Sequence, residues 1–266
     1  MLSAARELLR FRGLLSILVG RELKARYRGS LLGFVWSLVN PLLLAAVYTV
    51  VFSVVFRPRF EGAEPYALVL LVGLFPWIWV SSSLLEGALS LRANASLIRK
   101  AVFPVEVLPT VSVVSNLVHF LLALPVLAIA LVAGRLLGHE VGGWWMVLLP
   151  AIVALQIPML TGLSLGLAAL NVHFKDVRDL LANLLTLLFF LTPIIYPVGA
   201  IPVSWLQRVV ELNPFTPFIL SYRSVLFSGL APEPILWLKM VLFSFAGWVL
   251  GTLLFQRLRE TLVEAV

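Results

Sequence analysis

The sequence contains no cysteine, and this absence excludes disulfide bonds, thiolate metal sites and cysteine nucleophiles. Charged residues are also scarce, at 12% of the 266 residues, whereas soluble domains carry about 25%. Hydrophobic residues make up 61% of the chain, which is more apolar surface than a soluble fold of this length can bury. We therefore expect an integral membrane protein with a single membrane domain.

Motifs for catalysis and nucleotide binding are also missing. The sequence has no G-x-x-x-x-G-K-[ST] phosphate loop and no H-E-x-x-H zinc motif. Its three histidines, His119, His139 and His173, are far apart, so we do not expect a metal site. One segment, residues 162–166, satisfies the G-x-S-x-G pattern of hydrolases, but that motif requires a strand-turn-helix. Within an apolar run, its two glycines instead predict close helix packing.

Six long apolar runs are present, at about 31–56, 66–91, 105–133, 145–171, 180–197 and 235–255. A transmembrane helix needs about 20 predominantly apolar residues, so we predict an all-α membrane protein with six transmembrane helices. The fifth run is the shortest and contains Pro193 and Pro197 near its end. These prolines indicate a kink or a helix that stops inside the membrane.

The residues before the first run predict an interfacial helix. Residues 1–30 carry seven of the 20 basic residues, including Arg21, Arg26 and Arg28. Apolar residues recur among them at intervals of three or four, at Leu8, Phe11, Leu15 and Leu18. Such a basic amphipathic helix is typical of the membrane interface, and the alternative is a soluble cytoplasmic helix. We expect two regions, an interface helix at 1–30 and a transmembrane domain at 31–266.

The distribution of basic residues predicts the orientation. With six spans, one side of the membrane receives 14 of the 20 basic residues, in the segments 1–30, 92–104, 172–179 and 257–266. The loops on the opposite side hold five. Because basic residues concentrate on the cytoplasmic side, both termini should be cytoplasmic. The net charge of +7 then reflects membrane topology, and we do not expect nucleic-acid binding.

The segment between the fifth and sixth runs has an unusual composition. Residues 198–234 are rich in proline, tryptophan and phenylalanine, and Asn213–Pro217 interrupts them. Before the interruption we predict a helix with one apolar face, formed by Val203, Leu206, Val209 and Val210. A second helix is predicted over Phe218–Phe227. We expect two re-entrant helices before the last span, buried against protein because lipid cannot satisfy irregular backbone.

A short cytoplasmic segment is a candidate docking site. Asn94 can cap a short helix, which Pro104 would end. Exposed apolar residues beside basic ones could dock in a groove of a partner protein, or the segment could rest on lipid headgroups. The candidate contacts are Asn94, Leu97, Ile98, Arg99, Lys100 and Phe103.

An aromatic stripe in the first run is a second candidate. Tyr48, Phe52 and Phe56 are spaced by four residues, and Trp36 lies further inward. Aromatic faces can stack on the C–H faces of sugar rings, so the stripe could line a pathway for a polysaccharide. The alternative is helix packing or an interfacial belt.

The order of several motifs resembles that of the membrane subunits of ABC-type polysaccharide exporters. These belong to the ABC-2 family, which moves O-antigen, teichoic acid or capsule chains. The resemblance extends nearly from end to end and is carried by RELKARYRGSLLG at 21–33, Trp36, Asn40-Pro41, GLFPW at 73–77, residues 94–109, FLTPIIYP at 190–197, Asn213-Pro214 and Arg223.

This resemblance implies a fold and a set of partners. The family fold has an interfacial N-terminal helix, six spans and re-entrant helices before the last span. Two copies of the subunit form a homodimer with the polymer pathway at their interface, in the bacterial cytoplasmic (inner) membrane. Two copies of a separate ATPase subunit bind ATP and Mg²⁺, so this chain needs no cofactor. The helix that couples to the ATPase corresponds to about residues 94–103.

We therefore expect a permease subunit that exports a lipid-linked polysaccharide, with no catalytic activity of its own. One alternative is an ABC-2 permease for lipids or drugs. Others are a membrane-embedded enzyme that acts on lipid-linked sugars and a scaffold without transport activity. The enzyme would need a buried acid or base, for which Glu86 and Glu106 are candidates. Arg99 and Lys100 are close to Glu106 in sequence, so a structural ion pair explains this carboxylate equally well.

Overall fold

The computed structural model describes residues 10–29, 65–100 and 103–265, together with isolated positions between 35 and 51. For Tyr27, Lys100 and residues 260–265 it describes the backbone alone. These parts of the chain are helical and include no β-strand. The helices are α1 (Arg12–Tyr27), α2 (Tyr66–Ala93), α3 (Ala95–Lys100), α4 (Val107–Leu136), α5 (Leu149–His173), α6 (Val177–Leu191), α7 (Ser204–Leu212), α8 (Thr216–Arg223) and α9 (Pro234–Ala265).

Four of the six predicted spans are confirmed as helices that are long and apolar enough to cross a membrane. They extend over Tyr66–Ala93, Val107–Leu136, Trp144–His173 and Pro234–Arg259. The third of these combines α5 with the 3₁₀ turn Trp144–Leu148 that precedes it. The first predicted span, 31–56, lies largely outside the described residues.

The fifth predicted span forms a shorter helix. α6 has 15 residues, which corresponds to a length of about 22 Å at 1.5 Å per residue. This length is less than the hydrocarbon core of a bilayer, which is about 30 Å thick. The helix ends at Leu191, directly before Thr192 and Pro193, so the prediction that the proline pair interrupts this run is correct.

Among the described helices, α5 and α9 have the most extensive contact, and they approach each other through glycines. A Cβ atom added to Gly251 would lie 1.7 Å from the carbonyl oxygen of Gly162, and one added to Gly166 would lie 3.2 Å from Gly251 Cα. The predicted packing role of the G-x-S-x-G segment is therefore confirmed. Its serine, Ser164, is fully buried and donates a hydrogen bond to the carbonyl oxygen of Ser83.

α1 packs against the bundle near one end of α2 and α4, which we call the α3 end. Leu18 and Val19 are buried in an apolar cluster with Val107 and Phe255. Three of the four residues of the predicted apolar face contribute to this cluster, namely Phe11, Leu15 and Leu18. Leu8 lies outside the described residues. The apolar side of α1 therefore contacts the protein at this end.

The segment before the last span forms two short helices, as predicted, but the first differs in detail. On α7, Val210 is buried and Leu206 is half-buried, whereas Val203, just before the helix, and Val209 are more than 40% exposed. The four residues therefore do not share one buried face. α8 begins at Thr216, and a π turn, Ser224–Ser228, follows it. Six of the eight α8 residues are buried, so α8 runs inside the protein.

Candidate functional site

At the α3 end, a polar network connects α1 to two candidate spans. Arg26 of α1 forms an ion pair with Glu86 of α2, with 2.5 Å between Nη2 and Oε2. The side-chain amide of Asn116 on α4 donates to the same carboxylate oxygen over 2.6 Å and accepts a hydrogen bond from Arg26 over 3.2 Å. The three side chains therefore satisfy one another's hydrogen-bonding groups. Glu86 is thereby a structural partner of α1.

Arg21 makes the second connection between α1 and α2. Its guanidinium donates to the side-chain oxygen of Asn94 over 3.1 Å. Between these contacts lies a cleft of about 170 Å³ that is lined by residues of α1, α2 and α4, including Glu22 and Ser112. Arg28, the third basic residue predicted for the interface helix, is exposed. Two of the three predicted residues therefore contact the transmembrane helices directly.

Asn94 begins α3 through its backbone. Its carbonyl oxygen accepts hydrogen bonds from the amides of Leu97 and Ile98 at 2.9 and 3.1 Å. Its side chain instead accepts from Arg21 and donates to the carbonyl oxygen of Ser90. The predicted side-chain cap is therefore wrong, because two other helices compete for the amide group of Asn94.

The candidate docking residues of α3 are less exposed than the sequence suggests. Leu97, Ile98 and Phe103 are half-buried, and they pack on the apolar cluster that also contains Leu18 of α1. Ser96 and Arg99 are exposed. The side chain of Lys100 lies outside the described residues. The most exposed of the described α3 side chains are therefore polar, and the apolar ones are only partly accessible to a partner.

Glu106, the second candidate acid or base, takes part in an ion pair. Its Oε1 lies 3.1 Å from Nη1 of Arg259 on α9, and the residue is 3% exposed. This contact joins the start of α4 to the last span. The interpretation of this carboxylate as a structural ion-pair partner is therefore supported, with Arg259 as a partner that its sequence position did not reveal.

At the opposite end of the bundle, side chains hold the break after α6. The guanidinium of Arg223 donates to the carbonyl oxygens of Pro193, Ile194 and Tyr196 at 2.8, 3.2 and 3.4 Å. The hydroxyl of Tyr66 donates to the carbonyl oxygen of Ile195 over 3.0 Å. Carbonyl groups that leave a helix need such partners when water is excluded. α2 and α8 therefore jointly stabilise the interruption of α6.

Asn213 connects the same break to the turn between α7 and α8. Its side-chain nitrogen donates to the carbonyl oxygen of Leu191 and to the hydroxyl of Thr192. Its side-chain oxygen accepts from the amide of Phe215 over 3.0 Å. The motifs FLTPIIYP, Asn213-Pro214 and Arg223 are thus parts of one hydrogen-bonded unit, although their bonded residues are up to 30 apart in sequence.

Most residues of the predicted pathway lie outside the described part of the chain. Trp36 is 39% exposed, and Tyr48, Phe52 and Phe56 lie outside the described residues.

The three-dimensional arrangement identifies three further residues with long-range contacts that the sequence analysis did not select, namely Tyr66, Asn116 and Arg259. Each meets its partner across 30 or more residues, and no local spacing pattern indicates such a contact. In the described part of the chain, no group of three or more metal-ligating residues occurs.

The chain is similar to known membrane transport proteins along its whole length. It matches the ABC-2 type transporter family over residues 13–227. The O-antigen export system permease protein RfbA of Myxococcus xanthus is 39% identical over 100% of both chains. A Klebsiella pneumoniae protein of the same name is 35% identical over 81% of both chains. The polysialic acid transport protein KpsM of Escherichia coli is 20% identical over 92% of this chain and 93% of its own.

The family match includes both hydrogen-bonded units described above, the network at the α3 end and the break after α6. It covers well over half of the sequence. This chain belongs to the ABC-2 type transporter family.

Proposed function

We propose that this chain is the permease subunit of an ABC transporter that exports a lipid-linked polysaccharide across the bacterial cytoplasmic membrane. The observation that carries the proposal is 39% identity over the entire length to an O-antigen export system permease protein. The energy comes from a separate ATPase subunit, which binds ATP and Mg²⁺. Two copies of each subunit form the transporter, and the polysaccharide passes between the two permease chains.

The test is to remove each subunit separately in the host bacterium. Loss of this chain should abolish the surface polysaccharide and leave its lipid-linked precursor on the cytoplasmic side. Replacing the phosphate-loop lysine of the partner ATPase should have the same effect, because this chain contains no phosphate loop. An unchanged surface polysaccharide after deletion would contradict the proposal. Loss of a lipid or of drug resistance instead would favour the other ABC-2 substrates.

The proposed topology has six spans and both termini in the cytoplasm, with an interface helix at 1–30 and a transmembrane domain at 31–266. The distribution of basic residues supports it, and the four candidate spans are compatible with it. α7 and α8 form the re-entrant pair on the outer side, which fits the burial of α8 inside the protein. A C-terminal reporter that is active only outside the cytoplasm should remain silent; activity would contradict six spans.

In this orientation α3 faces the cytoplasm and contacts the ATPase. The contact comprises Asn94, Leu97, Ile98, Arg99, Lys100 and Phe103. Because Leu97 and Ile98 are half-buried, charges at these positions would disturb the fold as well as docking. Ser96 is exposed on the same helix and permits a cleaner experiment.

We expect Ser96→Tyr to weaken the association with the ATPase, because the larger side chain separates two closely packed surfaces. The fraction of ATPase that co-purifies should fall at least about fivefold, the effect of losing one well-packed interface residue, and export should fall with it. Ser204→Tyr, at the exposed start of α7, is the matched control and should leave both unchanged. Equal co-purification of the two variants would show that α3 is not the contact.

The aromatic stripe of Trp36, Tyr48, Phe52 and Phe56 is proposed to line the pathway. In a helix, four-residue spacing places rings about 6 Å apart, which is close to the length of one sugar unit. Weak stacking allows the polymer to dissociate from each ring and advance, as conduction requires.

The double substitution Tyr48→Leu and Phe52→Leu roughly keeps the apolar volume, so we expect less export at unchanged protein level. Unchanged export, or loss of the folded protein, would assign the stripe to packing.

A further inference from the structure

An apolar cavity that is open to one side lies beside α4, and its lining shares no residue with the polar network or with the break after α6. Its volume is about 280 Å³, and its walls come from α4, the 3₁₀ turn, the start of α5 and the π turn. Leu127, Leu131 and Leu226 form buried parts of the wall, whereas Val132 is 57% exposed. The cavity therefore adjoins an exposed surface of α4, a helix that is long and apolar enough to span a membrane.

One charged residue, Arg135, belongs to this lining. It is in the last turn of α4, and it donates one hydrogen bond, from Nη2 to the carbonyl oxygen of Gly142 over 3.1 Å. The residue is exposed, and it belongs to neither the Arg26–Glu86 nor the Glu106–Arg259 ion pair. Because α4 is a candidate span that ends at Leu136, the guanidinium lies at the depth of the lipid headgroups.

The apolar walls and the single arginine indicate which kind of molecule the cavity can bind. Apolar walls offer water no hydrogen-bond partners, and even a closed apolar cavity of about 150 Å³ is large enough to bind benzene. Without an occupant, the side chains of the cavity wall lack dispersion contacts on one side. A hydrocarbon chain restores these contacts, and a phosphate at the membrane surface complements Arg135. A bilayer phospholipid supplies both groups at the correct depth.

We propose that this cavity binds one acyl chain of an anionic bilayer phospholipid whose phosphate contacts Arg135. The lipid fills the space between α4 and the π turn and thereby supports the packing of α8, which precedes that turn. The proposal does not depend on which substrate is exported.

Native mass spectrometry of the detergent-purified full chain tests the proposal. The probes are dioleoylphosphatidylglycerol and dioleoylphosphatidylcholine. We expect one phosphatidylglycerol molecule to bind about fivefold more tightly than phosphatidylcholine, which is the attraction of one interfacial arginine for an anionic lipid. Arg135→Gln should remove this preference. Leu131→Trp, which fills the cavity, should weaken the binding of both lipids.

Two matched variants control for general effects. Arg208→Gln removes an exposed arginine from α7, and Ile129→Trp enlarges a residue that is 71% exposed on α4; both should retain lipid like the unmodified chain. Equal binding of the two lipids to the unmodified chain, or equal effects of Arg135→Gln and Arg208→Gln, would overturn the proposal. If Leu131→Trp does not fold, the two arginine variants alone decide the result.

Discussion

Replacing Gly251 with alanine should strongly destabilise the protein. The new Cβ atom would lie 1.7 Å from the carbonyl oxygen of Gly162, and both groups belong to backbone that no rotamer change can move. α5 and α9 would have to separate, and overpacking of this kind costs about 3 kcal/mol. For a chain of this size the melting temperature should fall by about 10 °C. Thermal unfolding in detergent, followed by circular dichroism, measures this change.

The matched control is Gly20→Ala on α1. A Cβ atom there would meet nothing within 4 Å, and alanine has the higher helix propensity. The melting temperature of this variant should stay the same or rise slightly. If Gly251→Ala unfolded at the temperature of the unmodified chain, α5 and α9 would not be in the close contact described here.

Replacing Arg223 with methionine should produce the second large effect. Methionine replaces the aliphatic stem of arginine but cannot donate hydrogen bonds, so the carbonyl oxygens of Pro193, Ile194 and Tyr196 would lose a donor. Hydrogen bonds from a charged donor contribute about 1.5–3 kcal/mol each. When several are lost, relaxation of the surrounding structure offsets part of the cost. We expect a loss of about 3 kcal/mol, measured as a lower melting temperature and a smaller yield of folded protein.

Two further variants identify the cause. Arg223→Lys keeps the charge but lacks the planar fork that reaches several carbonyl groups at once, so its stability should be intermediate. Arg208→Met removes an exposed arginine of α7 and should change stability by less than about 0.5 kcal/mol. If the lysine variant were as stable as the unmodified chain, the fork geometry would have no role. If Arg208→Met were as damaging as Arg223→Met, the bonds to the break would not explain the effect.

Composition and apolar run length were sufficient to predict the helical membrane fold. The runs at 66–91, 105–133, 145–171 and 235–255 coincide with the four candidate spans. This agreement has a simple reason, since hydrocarbon cannot hydrogen-bond to the backbone and any span must satisfy its own amides. The end of α6 before Pro193 was also predictable, because proline cannot continue the hydrogen-bond pattern of a helix.

The order of weak motifs was sufficient to identify the family, although each motif alone is short. Their positions in sequence did not reveal why they occur together. Arg223 and Asn213 hold the carbonyl groups released by the proline break, and this relation exists only once the fold has brought the ends of α7 and α8 to the end of α6. Similarly, Asn94 has the sequence position of a helix cap, but Arg21 from another helix binds its side chain.

The sequence by itself therefore determined the apolar helices, the proline break and the family, because these depend on local composition, on backbone geometry and on the order of motifs along the chain. The tertiary structure alone decided the partners of the charged residues. Arg26 meets Glu86 across 60 residues, and Glu106 meets Arg259 across 153. The physical reason is that a charge in an apolar bundle must be paired with whichever polar group packing brings near, and packing is a property of the whole fold.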